Sequence, residues 1–391
     1  MRIAFVYDAV YPWVKGGAEM RIHELGKRLL DRGHEVHIFG IKWWEGEDTF
    51  EYEGMILHGV CKARDLYVNG RRSISEAIIF AAKLFPELRK ENFDLIDVSV
   101  FPYFSCFTAK AVSVLKKARL VLTWHEVWDD YWYEYLGKAG FFGCLVEKMT
   151  SKLSENNIAV SGWTKDRLEA LGVPREKITV IPNGIDLKRV SKIEPEGGKV
   201  HSGFESKKYD VIFAGRLIKE KNVDLLIKAV ALLKTDFPEI RCCIVGDGPE
   251  KTALVELAKI TGIYRNVEFA GFQEYGALIG KIRASKILVL PSSREGFGMV
   301  VIEAFACGVP VVTVKAKYNA AQGLVENGVD GFVVEPTEGE IAKALHKIIG
   351  KNQDYRKISE AALRKAENYD WEKIIKEICL VYQGYMEKPL K

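Results

Sequence analysis

Pro291-Ser292-Ser293-Arg294-Glu295-Gly296-Phe297-Gly298-Met299-Val300-Val301-Ile302-Glu303 reads as a strand-to-helix turn, and that reading decides the fold. Upstream, Lys286 to Leu290 is a short apolar run of strand character, broken by the proline. Gly296 and Gly298 follow in the loop. Val300-Val301-Ile302-Glu303-Ala304-Phe305-Ala306-Cys307 then reads as a helix, apolar nearly all round, that stops at Gly308. A strand that turns through glycines into a helix is the unit of a parallel α/β sheet. The turn offers backbone N–H groups and the positive end of a helix dipole, which suit a phosphate. Glu295 and Glu303 add two carboxylates eight positions apart, and a carboxylate suits paired hydroxyls. Phosphate and vicinal hydroxyls together describe a nucleotide sugar. Glu303 lies in an apolar helix, where a carboxylate must be paired or used.

Outward from this turn the same alternation runs through most of the 391 residues. Strands are predicted at Ile3 to Tyr7, Glu35 to Phe39, Leu95 to Val98, Leu120 to Trp124, Ile158 to Val160 and Ile178 to Ile181. Amphipathic stretches stand between them, as at Ala18 to Leu30 and Ser75 to Arg89. The pattern lapses over 188–208, a polar stretch containing Pro195-Glu196-Gly197-Gly198 that reads as a linker. It restarts at Asp210-Val211-Ile212-Phe213-Ala214-Gly215 and continues through Cys242 to Val245, Val267 to Ala270, Ile287 to Leu290 and Val309 to Val314. The length exceeds what one core usually supports. The expected organisation is two doubly wound domains, 1–187 and 209–371, with ligands at the carboxyl ends of their strands.

Composition narrows the class. A hydrophobic fraction of 48% with 28% charged residues is ordinary for a globular chain, and a net charge of +4 does not suggest a nucleic-acid partner. The seven cysteines form no Cys-x-x-Cys pair, and Cys242, Cys243 and Cys307 lie in apolar segments, so they read as reduced core residues of a cytoplasmic protein. No apolar run approaches the ~18 residues of a membrane span.

Other turns carry chemistry. Val14-Lys15-Gly16-Gly17-Ala18-Glu19 opens a helix, and paired glycines permit close backbone approach to a phosphate or substrate. It is neither a dinucleotide fingerprint nor a Walker loop. Ala214-Gly215-Arg216-Leu217-Ile218-Lys219-Glu220-Lys221-Asn222 sets Arg216 at a strand end and Lys221 at the mouth of the next helix. A guanidinium fork and a point charge five residues apart can grip a diphosphate. Val245-Gly246-Asp247-Gly248-Pro249 is a further turn whose role can be geometric alone. His125 closes the strand Leu120 to Trp124, where an imidazole can meet a sugar or a developing charge.

In this order the pieces resemble the retaining GT-B glycosyltransferases, in particular glycosyltransferase family 4. The resemblance rests on Gly16-Gly17-Ala18-Glu19, Thr123-Trp124-His125, Ile181-Pro182-Asn183-Gly184-Ile185-Asp186, Gly215-Arg216 with Lys221, Val245-Gly246-Asp247-Gly248-Pro249, and the Glu-x7-Glu element from Glu295 to Glu303. It implies an α/β GT-B fold, two Rossmann-like domains facing across a cleft, with the helix 372–391 returning to the first. It assigns donor binding to Gly16, Gly17, Arg216, Lys221, Gly296, Phe297, Gly298, Met299 and Glu303, with Arg216 and Lys221 on the diphosphate and Glu303 on the ribose. Glu295 and His125 are the catalytic candidates beside the transferred sugar. The implied reaction moves a hexose-type sugar, from a UDP-sugar in preference to a GDP-sugar, to a sugar, lipid-linked or small-molecule acceptor. It needs no metal or other cofactor. The rival readings are a nucleotide-sugar epimerase of the same build and a non-catalytic nucleotide-sugar-binding protein.

The stretch Ala320-Ala321-Gln322-Gly323-Leu324-Val325-Glu326 departs from the family, which often has a glutamate where Ala321 and Gly323 stand. That leaves the donor sugar unidentified. In the acceptor-side domain Trp124, Trp128, Tyr131, Trp132, Tyr133, Tyr135, Phe141 and Phe142 make an unusually aromatic stretch. About half should be core. The remainder would suit an acceptor or peripheral contact with the inner face of a membrane.

Overall fold

The computed structural model describes residues 1–63, 67–68, 71–198, 207–350 and 352–388. The chain divides into two compact units, Met1–Asn183 with Trp371–Lys391, and Gly184–Asp370.

The first unit is built on an eight-stranded sheet. Its spatial order is Ile178–Val180, Asn157–Ala159, Arg119–Trp124, Leu95–Val100, Arg2–Val6, Glu35–Lys42, Met55–Lys62, Thr49–Tyr52. All pairings are parallel except that of Thr49–Tyr52 with Met55–Lys62. This last hairpin carries turn residues at Glu53-Gly54, both with positive φ, and was missed by the alternation seen in the sequence. Parallel strands covered on both faces read as nearly continuous apolar runs, as Leu95–Val100, buried throughout, does. The helix Gly17–Leu30 and the last helix, Trp371–Glu387, cover one core. Trp371, Ile374, Ile375, Ile378, Tyr382 and Tyr385 form one helical stripe packed with Ile3, Phe5, Leu25, Leu29, Val36 and Leu95.

The second unit has a six-stranded parallel sheet in the order Val267–Gly271, Cys242–Val245, Tyr209–Ala214, Ser285–Leu290, Val311–Val314, Gly331–Val334. Numbered along the unit this is 3-2-1-4-5-6, the doubly wound order of dinucleotide-binding sheets. The direction of winding reverses between Tyr209–Ala214 and Ser285–Leu290, so the crevice between the loops that follow those two strands is where a ligand is expected.

The expected linker 188–208 needs correction over its described part, through Gly198. Leu187–Ser191 is a helix of the second unit, capped by Asp186, whose Oδ1 accepts the Arg189 N–H at 2.8 Å. Beyond it, Glu196 accepts from Lys281 Nζ and from the Tyr209 hydroxyl at 3.0 Å, an ion pair set against the first strand of that sheet. The chain passes between units at Asn183–Gly184 and at Asp370–Trp371 instead. Polar composition concealed this, because the helix buries a single apolar side chain, Val190, and the chain beyond it is held by the charges on Glu196 and Lys281.

Candidate functional site

At the switch point of the second sheet, backbone contacts lock three turns together. Leu217 donates to the Asp247 carbonyl at 2.9 Å, Gly215 to Val245 at 3.0 Å, and Gly246 to Gly271 at 2.8 Å. A Cβ on Gly246 would lie 1.9 Å from the Gly215 carbonyl oxygen, and one on Gly248 2.3 Å from that of Leu217. The glycines of Val245-Gly246-Asp247-Gly248-Pro249 therefore serve close approach of backbone to backbone, which fixes the loop bearing Arg216. Arg216 itself is exposed.

Lys219–Lys221 is a single 3-10 turn, and Asn222, left-handed at φ 47°, starts the helix Val223–Leu233. Asn222 Nδ2 donates to the Pro291 carbonyl at 3.0 Å, while the Ser293 N–H reaches the Glu220 carbonyl at 2.9 Å. These two bonds strap the loop after the fourth strand to the turn after the first. They bring Lys221 and Glu295 together: Lys221 Nζ donates to Glu295 Oε1, with the side chains only 18% and 12% exposed. Arg294–Glu295 also pairs in parallel with Tyr318–Asn319, so Glu295 is held by its backbone on that side and by Lys221 at its carboxylate. Asn319 is fully buried. Its Nδ2 donates to the Val314 carbonyl at 2.8 Å, and its Oδ1 accepts the Ala321 N–H at 3.1 Å. Asn222, Ser293 and Asn319 were not singled out in the sequence, although Asn after a turn is a known left-handed signal.

Gly296 leads into buried Phe297, which meets the Tyr369 ring edge-on at 6.1 Å. Gly298, at φ 97°, caps the helix Met299–Ala306, and a Cβ there would lie 2.7 Å from Ala321 Cβ. The left-handed turn requires a glycine on both counts. Glu303, one turn in from Met299, is the sole charged residue of the helix. Burial pushes its carboxyl up to about 7, and no protein group among the described residues donates a hydrogen bond to it.

In the first unit, Gly16 is the extended N-cap of Gly17–Leu30. A Cβ on Gly16 would lie 2.8 Å from Glu19 Oε1, so the buried Glu19 carboxylate is folded back over the start of its own helix. Buried Asp8, at the end of the first strand, is paired with Arg72. His125 follows Arg119–Trp124 and shares a hydrogen bond with Ser99 Oγ at 3.1 Å. Burial, reinforced by the Arg21 guanidinium, lowers the imidazole to about 3 and keeps it neutral. Arg21, also buried, donates to the Pro182 carbonyl at 2.5 Å and to Asn183 Oδ1 at 3.1 Å. Asp97 accepts from Thr123 Oγ1 at 2.7 Å and from the Tyr382 hydroxyl at 2.5 Å, which ties the last helix to the strand end beside His125.

Among the described residues, one group has metal-ligand reach: His37, His58 and Glu91, with ligand atoms within 4.8 Å of one another. It contains none of the candidate site residues. Its imidazoles already bond each other at 2.8 Å, and His37 bonds Glu35 at 2.8 Å.

Two family models match the chain, "Glycosyltransferase Family 4" over residues 15–189 and "Glycosyl transferases group 1" over residues 199–365. The chain is 33% identical over 210 residues to D-inositol 3-phosphate glycosyltransferase of Rhodococcus jostii, a match that spans 51% of this chain and 46% of that relative. It is 26% identical over 382 residues to N-acetyl-alpha-D-glucosaminyl L-malate synthase of Bacillus anthracis, covering 95% of this chain and 94% of the other. Its fold is like that of sucrose-phosphate synthase from Thermosynechococcus elongatus, with a TM-score of 0.82, 21% identity and 98% of each chain covered. It is also like that of Anabaena HepE in complex with UDP, with a TM-score of 0.77, 22% identity, and 98% and 100% covered.

Proposed function

The chain belongs to glycosyltransferase family 4, has the GT-B fold and is a glycosyltransferase, and on that premise we propose that it moves a hexose-type sugar from a nucleoside diphosphate sugar to an acceptor hydroxyl with retention at the anomeric carbon. The observation that carries this reading is the meeting of Lys221 and Glu295 at the switch point of the second sheet. A cation for the diphosphate and a carboxylate for the sugar stand side by side there, the carboxylate eight residues ahead of Glu303.

In this reading Arg216 and Lys221 hold the diphosphate, assisted by the N-terminus of Met299–Ala306 behind Gly298. Negative charge grows on the leaving diphosphate as the glycosidic bond breaks, and fixed cations lower the barrier by stabilising it. Those cations make a metal ion unnecessary. Phe297 and Met299 line the turn, while Glu303 accepts from the ribose hydroxyls and Glu295 faces the sugar. His125 is neutral, so it offers a hydrogen bond rather than a positive charge. Glu19 sets a carboxylate at the helix start beside Gly16-Gly17, which favours sugar hydroxyls over phosphate as the group that approaches this turn. An epimerase would call for acid/base partners, and a neutral His125 supports that role poorly.

UDP is favoured as the nucleotide because HepE, a structural neighbour, was solved with UDP and with UDP-glucose. The test is thermal shift over a panel of UDP- and GDP-sugars, followed by turnover with and without chelator. The expected result is a shift with one nucleotide class that is lost in Lys221→Ala, and turnover indifferent to chelator. Absence of any shift, or an undiminished shift in Lys221→Ala, overturns the reading.

A further inference from the structure

The hairpin of helices Tyr131–Leu136 and Gly140–Thr150 in the first unit presents its faces in the reverse of the order water imposes. Along Gly140–Thr150 the inward positions, three or four residues apart, are Gly140, Gly143, Glu147 and Thr150. The two glycines let the helix lie against its partner: a Cβ on Gly143 would meet the Trp132 ring at 2.2 Å, and one on Gly140 the Trp132 carbonyl oxygen at 2.5 Å. Glu147 is buried and fully engaged, accepting from the backbone of Trp128 at 2.8 Å and Asp129 at 2.7 Å and from the Tyr103 hydroxyl at 2.7 Å. Outward stand Phe141, Phe142, Leu145 and Met149, which are 57%, 68%, 44% and 49% exposed, with Tyr133 of the other helix exposed beside them. The acid is inside and the large apolar side chains are outside.

The core does not need these outer groups. Trp128, Tyr131 and Trp132 are buried, and Tyr131 and Trp132 both pack on Trp128 with ring centroids 5.2 and 4.6 Å away. Charge points to the occupant. Lys138, Lys148 and Lys152 are exposed around the apolar stripe, and from Tyr133 to Lys152 Glu134 is the one exposed acid, because Glu147 is turned in. Aromatic and aliphatic side chains flanked by lysines, on a helix too short to span, fit the headgroup layer of an anionic bilayer. No helix among the described residues is long and apolar enough to cross a membrane.

We propose that the outer face of the hairpin, Phe141, Phe142, Leu145 and Met149 with Lys138, Lys148 and Lys152, is a docking surface for an anionic lipid bilayer. The helix that docks also holds, through Glu147, the backbone of Trp128 and Asp129, three and four residues beyond His125. A lipid surface thus bears directly on the loop that carries His125. The bearing of lipid on His125 rests on the proposed glycosyltransferase function; the docking does not.

The experiment is co-sedimentation of the full chain, without donor, with vesicles of phosphatidylcholine alone and of phosphatidylcholine mixed with phosphatidylglycerol. The chain should bind the mixed vesicles, bind phosphatidylcholine less well, and lose the difference at high salt. The double substitution Phe141→Ser/Phe142→Ser should cut partitioning by about tenfold or more, and Lys148→Gln by roughly fivefold. Ile260→Ser, an exposed apolar position in the second unit, should change nothing. Where the double variant proves unstable, Leu145→Ser and Met149→Ser singly supply the same readout. The proposal is overturned if the intact chain ignores mixed vesicles or if the serine variants bind them undiminished. It is also overturned if light scattering shows a dimer that Phe142→Ser dissociates while vesicles are ignored, which would make the occupant a second copy. Thermal shift by nucleoside diphosphate, measured separately, reports on the donor reading and is independent of all these outcomes.

Discussion

Lys221 Nζ donates to Glu295 Oε1 across the switch point of the second sheet, joining loops 74 residues apart in the chain. Neither loop holds this geometry alone. Asn222 and Ser293 tie the two carbonyl-rich turns to each other, and the pairing of Arg294–Glu295 with Tyr318–Asn319 closes the other side. The protein's own contacts thereby fix the cation and the carboxylate, which is the condition for electrostatic catalysis without reorganisation.

Lys221→Ala is expected to lose ~2–4 kcal/mol of transition-state stabilisation, read as kcat/KM on a confirmed donor. Glu295→Gln, which keeps the shape, should lower kcat more than it raises the donor KM. Because the two groups are in contact, the double variant should fall short of the sum of the single losses. Additive losses would mean that the pair does not act as one unit.

The alternation of strands and helices was legible because parallel strands covered on both faces must be apolar throughout, as Tyr209–Ala214 and Leu95–Val100 are. The turn from Pro291 to Glu303 was legible for the same reason: a carboxylate in an all-apolar helix needs an explanation. The hairpin Thr49–Tyr52/Met55–Lys62 was not, since its two strands adjoin without a crossover helix. The supporting shell escaped as well. Asn319 and Ser293 act through backbone contacts that depend on which strand ends become neighbours, and no local pattern encodes that. The Glu19 carboxylate over Gly16 was within reach, because an acid at the third helical position commonly folds back on its own helix start.

Acid should destabilise the first unit through His125. Its imidazole is lowered to about 3 from an ordinary 6.5, so the folded state prefers the neutral form. That contribution is complete above pH 6.5 and is lost as pH falls towards 3. Melting temperature against pH should therefore drop less steeply in His125→Gln than in the native chain below pH 6. His58, lowered to about 4 by burial, adds a parallel loss that this variant leaves in place. Identical acid limbs in native and variant would show that His125 does not titrate as its surroundings dictate.

Glu303 works in the opposite direction. With its carboxyl raised from 4.5 to about 7, the folded state prefers the proton, so stability declines as pH rises from 4.5 through 7 and stays reduced above. Glu303→Gln should melt higher than the native chain at pH 8, and the difference should vanish near pH 4.5. A ribose that donates hydrogen bonds to the ionised carboxylate favours that form. Affinity for the nucleoside diphosphate should consequently rise with pH through 7 in the native chain and stay flat in the variant. Equal affinity for ribose and deoxyribose nucleotides in the native chain would remove Glu303 from the ribose.

Gly246 and Gly248 carry the last prediction. Neither needs to touch a ligand, yet each allows the backbone of residues 215–217 to lie against it, and that backbone aims Arg216. Alanine at 246 would put a methyl 1.9 Å from the Gly215 carbonyl oxygen, and alanine at 248 one 2.3 Å from that of Leu217. No contact that short can persist, and the obstacle is backbone rather than a flexible side-chain tip. Their φ angles of 132° and 159° add strain at 246 and little at 248. Gly246→Ala should then cost about 3 kcal/mol or more of stability, comparable to other overpacked positions, and Gly248→Ala somewhat less. Both should weaken nucleoside diphosphate binding by moving Arg216, while Gly162→Ala, which meets nothing within 4 Å, should do neither. If Gly246→Ala melts normally but binds poorly, the glycine faces the ligand directly. If it melts low and binds normally once folded, the position of Arg216 does not depend on this contact.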